Sequence, residues 1–151
     1  MAGQTIQIKT ETGKQFSAYL VAPSSGKGPG IVLCQEIFGV NAAMREKANF
    51  LAEEGYTVLV PDLFWRSAAN IELGYTPEDF QKAYALYQQY DENLGVEDIQ
   101  DSLTYLQTRP ECDTSTGLGV VGYCLGGKLA YLAACRLPEV ACAVGYYGVG
   151  L

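Results

Sequence analysis

Four apolar runs constrain this chain more than any other feature: IVLC (31–34), YTVLV (56–60), GLGVVGY (117–123) and VACAVGYY (140–147). An unbroken apolar run suits a strand covered on both faces. Segments of helical pattern separate the runs, and strands alternating with helices form a mostly parallel sheet with right-handed crossovers and helices on both faces. The class read from this pattern is α/β, with all four strands buried. The first helix starts after Asn41, a good N-cap, carries Met44, Ala48 and Leu51 on one face, and ends at Gly55. Thr76-Pro77-Glu78-Asp79 starts a second, with Phe80, Ala83, Tyr84 and Tyr87 on one face. A third spans about residues 96–108, with Val96, Ile99, Leu103 and Leu106 on its stripe, and a fourth covers 125–137. Before the first apolar run, residues 5–10 and 16–22 read as a hairpin about Thr12-Gly13, and residues 23–30 as a loop. Residues 62–75 read as irregular. No repeat or low-complexity segment divides the chain, so residues 1–151 form a single domain.

The last apolar run stops four residues before Leu151. A strand inside a parallel sheet ordinarily feeds another crossover. The domain is therefore expected to be incomplete at its C-terminus, with an open edge that favours dimerisation, aggregation or pairing with a remaining C-terminal part. The charge balance is −7, which disfavours nucleic acid and anionic membrane surfaces. The N-terminus lacks the apolar stretch of a signal peptide, and no run reaches the length of a membrane span. The cysteines number five, mostly in apolar runs as small hydrophobes, with no C-x-x-C pair. Neither a disulfide framework nor a zinc site is suggested, and a cytoplasmic location is expected. The chain contains no histidine. That excludes a self-contained Ser-His or Cys-His hydrolase and a His-ligated metal, since histidine is the usual general base near neutral pH.

Gly122-Tyr123-Cys124-Leu125-Gly126-Gly127 joins the third apolar run to the fourth helix. It matches the G-x-S-x-G nucleophile elbow with Cys for Ser. Such a turn holds the nucleophile at positive φ, and a Cβ at Gly122 or Gly126 would crowd the neighbouring backbone. The helix N-terminus then faces the thiol, which is expected to lower its pKa and to make the Leu125 N–H an oxyanion donor. A buried structural cysteine beside packing glycines is the competing reading. Glu36 lies just past IVLC, at the same sheet edge, where ligands of open α/β sheets bind. It could share a proton with the thiol or be a solvated loop acid. The Ile37 N–H is placed to supply the other half of an oxyanion hole.

Gln35-Glu36-Ile37-Phe38-Gly39-Val40-Asn41, Pro61-Asp62-Leu63, the elbow and Ala143-Val144-Gly145-Tyr146-Tyr147-Gly148-Val149-Gly150 together resemble the dienelactone hydrolase (carboxymethylenebutenolidase) family along essentially the whole chain. The resemblance implies an α/β-hydrolase fold and cofactor-free hydrolysis of a small-molecule lactone or ester in aromatic compound degradation. It implies Cys124 as nucleophile, Glu36 as the thiol's resting partner, and Ile37 and Leu125 as oxyanion-hole amides. The family's triad Asp and His lie downstream of Gly150. The family's carboxylate-holding arginine aligns with Phe80, with Lys82 nearby, so a less anionic ester is an open substrate. Phe38, Tyr84 and Tyr87 are pocket candidates, although Tyr84 and Tyr87 fit a plain core face equally well. The competing functions are an inactive fragment or binding module of the same fold and a thiol-redox protein, the latter lacking a resolving cysteine.

Overall fold

The computed structural model describes residues 3–151; Met1 and Ala2, the first residues of the segment read for a signal peptide, lie outside the described residues. The elements run β1 (Gln4–Lys9), β2 (Gln15–Val21), β3 (Gly28–Cys34), α1 (Ala42–Glu53), β4 (Thr57–Pro61), α2 (Pro77–Gln88), α3 (Glu92–Gln107), β5 (Cys112–Tyr123), α4 (Leu125–Arg136) and β6 (Val140–Tyr146). One six-stranded sheet has the order β1-β2-β4-β3-β5-β6. β1 and β2 form the expected antiparallel hairpin, and β2 pairs antiparallel with β4. β4, β3, β5 and β6 are mutually parallel. Residues 28–30 belong to β3 rather than to a loop, because Gly28 and Pro29 register against Cys112 and Asp113 of a β5 longer than its apolar run.

The caps act as their residue types require. Asn41 Oδ1 accepts from Met44 N at 3.1 Å, and Thr76 Oγ1 accepts from Asp79 N at 3.1 Å. Asp91 adds a third cap that starts α3 four residues earlier than its apolar stripe. Alternation along β3 divides the core. Ile31 and Leu33 face Met44, Ala48 and Ala52 of α1, while Val32 and Cys34 face the cluster that holds Ile99, Leu103 and Leu106 of α3 and Leu129 and Ala133 of α4. Helices thus cover both faces, as expected. That cluster also buries Tyr90, whose hydroxyl has no hydrogen-bond partner. An unpartnered buried hydroxyl keeps its full desolvation cost. Tyr90→Phe is expected to raise stability by about 1 kcal/mol, read from denaturant midpoints; a loss would show that the hydroxyl is solvated.

Two expectations fail. β6 is not buried: most of its residues are exposed, since it has a neighbour only on its β5 side. Phe80 and Tyr84 are not core residues either, at 51% and 47% exposure, and only Ala83 of that face is fully buried. Likewise Cys135 and Cys142 are exposed, while Cys34 and Cys112 are buried.

Candidate active site

The strand order creates the site. The chain leaves β3 through α1 to β4 on one side, then returns to β5 on the other. Crossovers diverge at this point, and the carboxyl ends of β3 and β5 open a crevice there. Cys34 registers with Gly122, so the loop after β3 and the turn after β5 lie side by side.

Cys124 occupies that turn at φ 58° and ψ −118°, a strained non-glycine conformation, and α4 begins at the next residue. Strain of this kind persists where the surroundings over-determine it. A Cβ on Gly122 would overlap Gly126 O, and one on Gly126 would overlap Cys34 O. Gly126 N donates to Gln35 O at 2.9 Å, and Cys124 N donates to Tyr146 O at 3.0 Å. The elbow is therefore tied to the loop after β3 and to the end of β6.

Cys124 is half-buried, and the N–H groups of Leu125 and Ile37 both reach its thiol and favour the thiolate. These are the two amides expected to form an oxyanion hole. The expected fall in thiol pKa does not follow, however. Burial raises it above the ordinary thiol value, the Glu36 carboxylate pushes the same way, and the two amides only partly offset them. Local spacing indicates a helix N-terminus but not how much water the tertiary fold removes. Cys34, the other cysteine near this edge, is fully buried and pushed up to about 12 by desolvation, which leaves it inert beside Cys124.

Glu36 is half-buried at the crevice. Its Oε1 accepts from the Tyr75 hydroxyl at 3.3 Å and its Oε2 from the Tyr147 hydroxyl at 2.9 Å. The preceding Gln35 is fully buried and braces the loop: its Oε1 accepts from Leu63 N at 2.9 Å and its Nε2 donates to Glu36 O at 3.1 Å. Phe38 packs edge-on against Tyr75, centroids 4.7 Å apart. Tyr84 and Tyr87 lie with Phe80 in an aromatic row along α2, at centroid spacings of 6.2 Å. Tyr75 and Tyr147 were missed by the sequence reading. Tyr147 carries a signal in the Gly-Tyr-Tyr-Gly motif; Tyr75 carries none.

A separate open groove of about 730 Å³ crosses the β5–β6 face beside α1, lined by Ile31, Phe50, Leu51, Val121 and Val144 among others. Neither Cys124 nor Glu36 lines it. It is bare sheet, not the crevice. Among the described residues no cluster of three or more His, Cys, Asp or Glu side chains is placed to hold a metal ion, and no helix is long and apolar enough to cross a membrane.

The family model of the dienelactone hydrolase family matches residues 16–151. Carboxymethylenebutenolidase 1 of Cupriavidus pinatubonensis is 40% identical over an alignment covering 100% of this chain and 64% of the relative. Carboxymethylenebutenolidase of Pseudomonas sp. (strain P51) is 42% identical, covering 99% and 62%. A crystal structure from Klebsiella pneumoniae superposes with a TM-score of 0.79 at 27% identity, covering 98% of this chain and 61% of that one. An α/β-hydrolase from Penicillium sp. sh18, 20% identical with a TM-score of 0.73 and covering 95% and 45%, shares the fold. The chain thus spans under two thirds of the length of these relatives.

Proposed function

Because the chain belongs to the dienelactone hydrolase family, we propose that it carries the nucleophile half of a hydrolase acting on a small-molecule lactone or ester, in the manner of a carboxymethylenebutenolidase. The observation that carries this reading is Cys124, held at φ 58° with two backbone amides converging on its thiol. The thiolate attacks the carbonyl carbon, and the charge that develops on the carbonyl oxygen falls to the Ile37 and Leu125 N–H groups. Expulsion of the alcohol oxygen leaves a thioester on Cys124, which water then cleaves. Glu36 is the thiol's partner at rest. The general base for deacylation comes from the Asp and His that the family resemblance puts beyond Leu151, since no histidine lies within residues 1–151. The same remaining part is the proposed cover for the bare β5–β6 face, with a second copy as the substitute in its absence. Phe38, Tyr84 and Tyr87 are the proposed substrate-facing aromatics. No cofactor is proposed, and the compartment proposed is the cytoplasm.

Treatment of the chain with p-nitrophenyl acetate, followed by peptide mass mapping, tests the reading. One acetyl group is expected on Cys124, absent in Cys124→Ala, with slow turnover. Because the thiol is raised, the acylation rate should still climb with pH beyond the ordinary thiol midpoint of about 8.5. Acetylation confined to the exposed Cys135 and Cys142 would overturn the nucleophile assignment and favour a non-catalytic binding module.

A further inference from the structure

The crevice at Cys124 is charged in one sense only. Glu36 follows β3, and the N–H of the next residue, Ile37, reaches the Cys124 thiol. The end of β6 ties the two again: Cys124 N donates to Tyr146 O at 3.0 Å, and the Tyr147 hydroxyl donates to Glu36 Oε2 at 2.9 Å. The side chains around this carboxylate are uncharged rings, Phe38 against Tyr75 and Tyr123 against Tyr147. The hydroxyls of Tyr75 and Tyr147 both donate to Glu36, so toward a ligand they present oxygen lone pairs. The cations of the neighbouring elements are engaged elsewhere. Arg45 of α1 pairs with Glu72, Arg66 with Asp98, and Lys128 of α4 with Glu92, while Arg136 donates to Asn93 at 2.8 Å. Lys47 of α1 lies over the Tyr123 ring, 5.1 Å from its centroid, where it lines the separate groove. Lys82 of α2 is exposed to solvent. The titrating groups of the crevice report the same field. Burial raises Cys124, Tyr75, Tyr123 and Tyr147, and the Glu36 charge raises all four further. No Lys or Arg among the described residues opposes it at any of them.

This charge does not depend on where the proton lies. If the thiol passes its proton to Glu36, the negative charge moves to the sulfur, and the pair still carries one. A charged group on an ester approaching the sulfur meets that field in either state, in a crevice where water screens it incompletely. We propose that Glu36 makes this chain's crevice select its esters by charge, taking cationic acyl groups over neutral ones and neutral over anionic ones. The rings around the carboxylate favour the same order, since a cation is attracted to an aromatic face. The inference rests on Cys124 being the nucleophile, and it names Glu36 as a specificity-determining residue in addition to its place beside the thiol.

The test uses two sets of probes on the full chain, each followed on the Cys124 peptide and normalised to its rate with 2-mercaptoethanol. The first set is the 2-sulfonatoethyl, 2-hydroxyethyl and 2-(trimethylammonio)ethyl methanethiosulfonates, which form a mixed disulfide with loss of methanesulfinate. The second is the p-nitrophenyl esters of 4-sulfobutanoate, hexanoate and 4-(trimethylammonio)butanoate. Both sets should rank cationic, neutral, anionic, with about threefold to tenfold between successive members. The exposed Cys135 and Cys142 serve as references for the overall charge of −7 and should show a weaker ranking. Glu36→Gln should flatten the ranking at Cys124, and so should 1 M NaCl, where screening acts over about 3 Å. A ranking at Cys124 no steeper than at Cys135 and Cys142, or one unchanged in Glu36→Gln, overturns the proposal, since the field would then be that of the whole chain. Acylation of Cys124 by all three esters at equal normalised rates overturns charge selection and leaves the nucleophile reading standing. Ranked thiosulfonates with no ester acylation of Cys124 overturn the nucleophile reading and ester selection with it. Should Glu36→Gln fail to fold, the comparison of Cys124 with the two reference cysteines in the parent chain decides.

Discussion

Gly126→Ala should lower the stability of the chain by about 3 kcal/mol or more. The added carbon would overlap Cys34 O and stand 2.6 Å from Gln35 O. Both are backbone atoms, one of the last residue of β3 and one of the residue after it, so no flexible side chain can yield. Relief requires moving α4 away from β3, which breaks the Gly126 N to Gln35 O bond and shifts the Ile37 amide away from the thiol. For a chain of this size the melting temperature should fall by about 10 °C. Acetylation of Cys124 should fall with it. Gly13→Ala is the control: Gly13 stands at positive φ, 85°, where Gly126 is helical, and a Cβ there meets nothing within 4 Å. Its cost is the local conformational one of about 1 kcal/mol. Equal effects at the two glycines would show that the elbow does not depend on this close approach.

The second large effect is a dependence of stability on pH, traced to Asp98. This carboxylate is fully buried in α3. Arg66 Nη1 donates to Oδ2 at 2.7 Å and Nη2 to Oδ1 at 3.0 Å, while Trp65 Nε1 donates to Oδ2 at 3.1 Å. The Arg66 guanidinium lies over the Trp65 ring, 4.4 Å from its centroid, and that ring stacks on Phe16. Together they anchor the irregular segment after β4 to the helix layer. Burial raises the Asp98 carboxyl to about 6 despite these donors. The folded protein therefore holds the proton more tightly than the unfolded chain, whose carboxyl titrates near 3.9. The Asp98 contribution to stability is therefore greatest below about pH 4, falls as pH rises to about 6, and is flat above, a change of at most about 3 kcal/mol. Asp62 and Asp101 are also raised and slope the same way. Denaturant midpoints from pH 4 to 7 should show a shallower fall in Asp98→Asn than in the parent chain. An unchanged slope would show that Arg66 fully compensates the buried charge.

Where the chemistry depends on neighbours in sequence, it was legible without the fold. Gly122, Cys124 and Gly126 belong to one turn, and their spacing is a steric requirement of that turn. Asn41 and Thr76 cap the helices that follow them, because a cap acts over three residues. Ile37 was placed as an amide donor because it lies in the loop that follows the IVLC strand, and Leu125 because it follows the elbow cysteine. What failed in the reading depended on distance in space. An apolar run cannot reveal whether a strand has one neighbour or two, and β6 has one. The aromatic residues of α2 share one face in the sequence pattern, yet Phe80 and Tyr84 are exposed, while Ala83 is buried and Leu86 and Tyr87 pack partly against the core.

Residue order alone thus determined the α/β class, the elbow, the nucleophile candidate and the family resemblance, all of which rest on local backbone geometry. The tertiary structure decided the rest. Placing β3 between β4 and β5 set the loop of Glu36 beside the turn of Cys124, and the end of β6 then brought Tyr147 within 2.9 Å of a carboxylate 111 positions away in the chain. It also decided the sign of the thiol's shift. The helix N-terminus that favours thiolate is written in the local sequence, but desolvation, the larger effect, is produced only when the crevice closes around the sulfur.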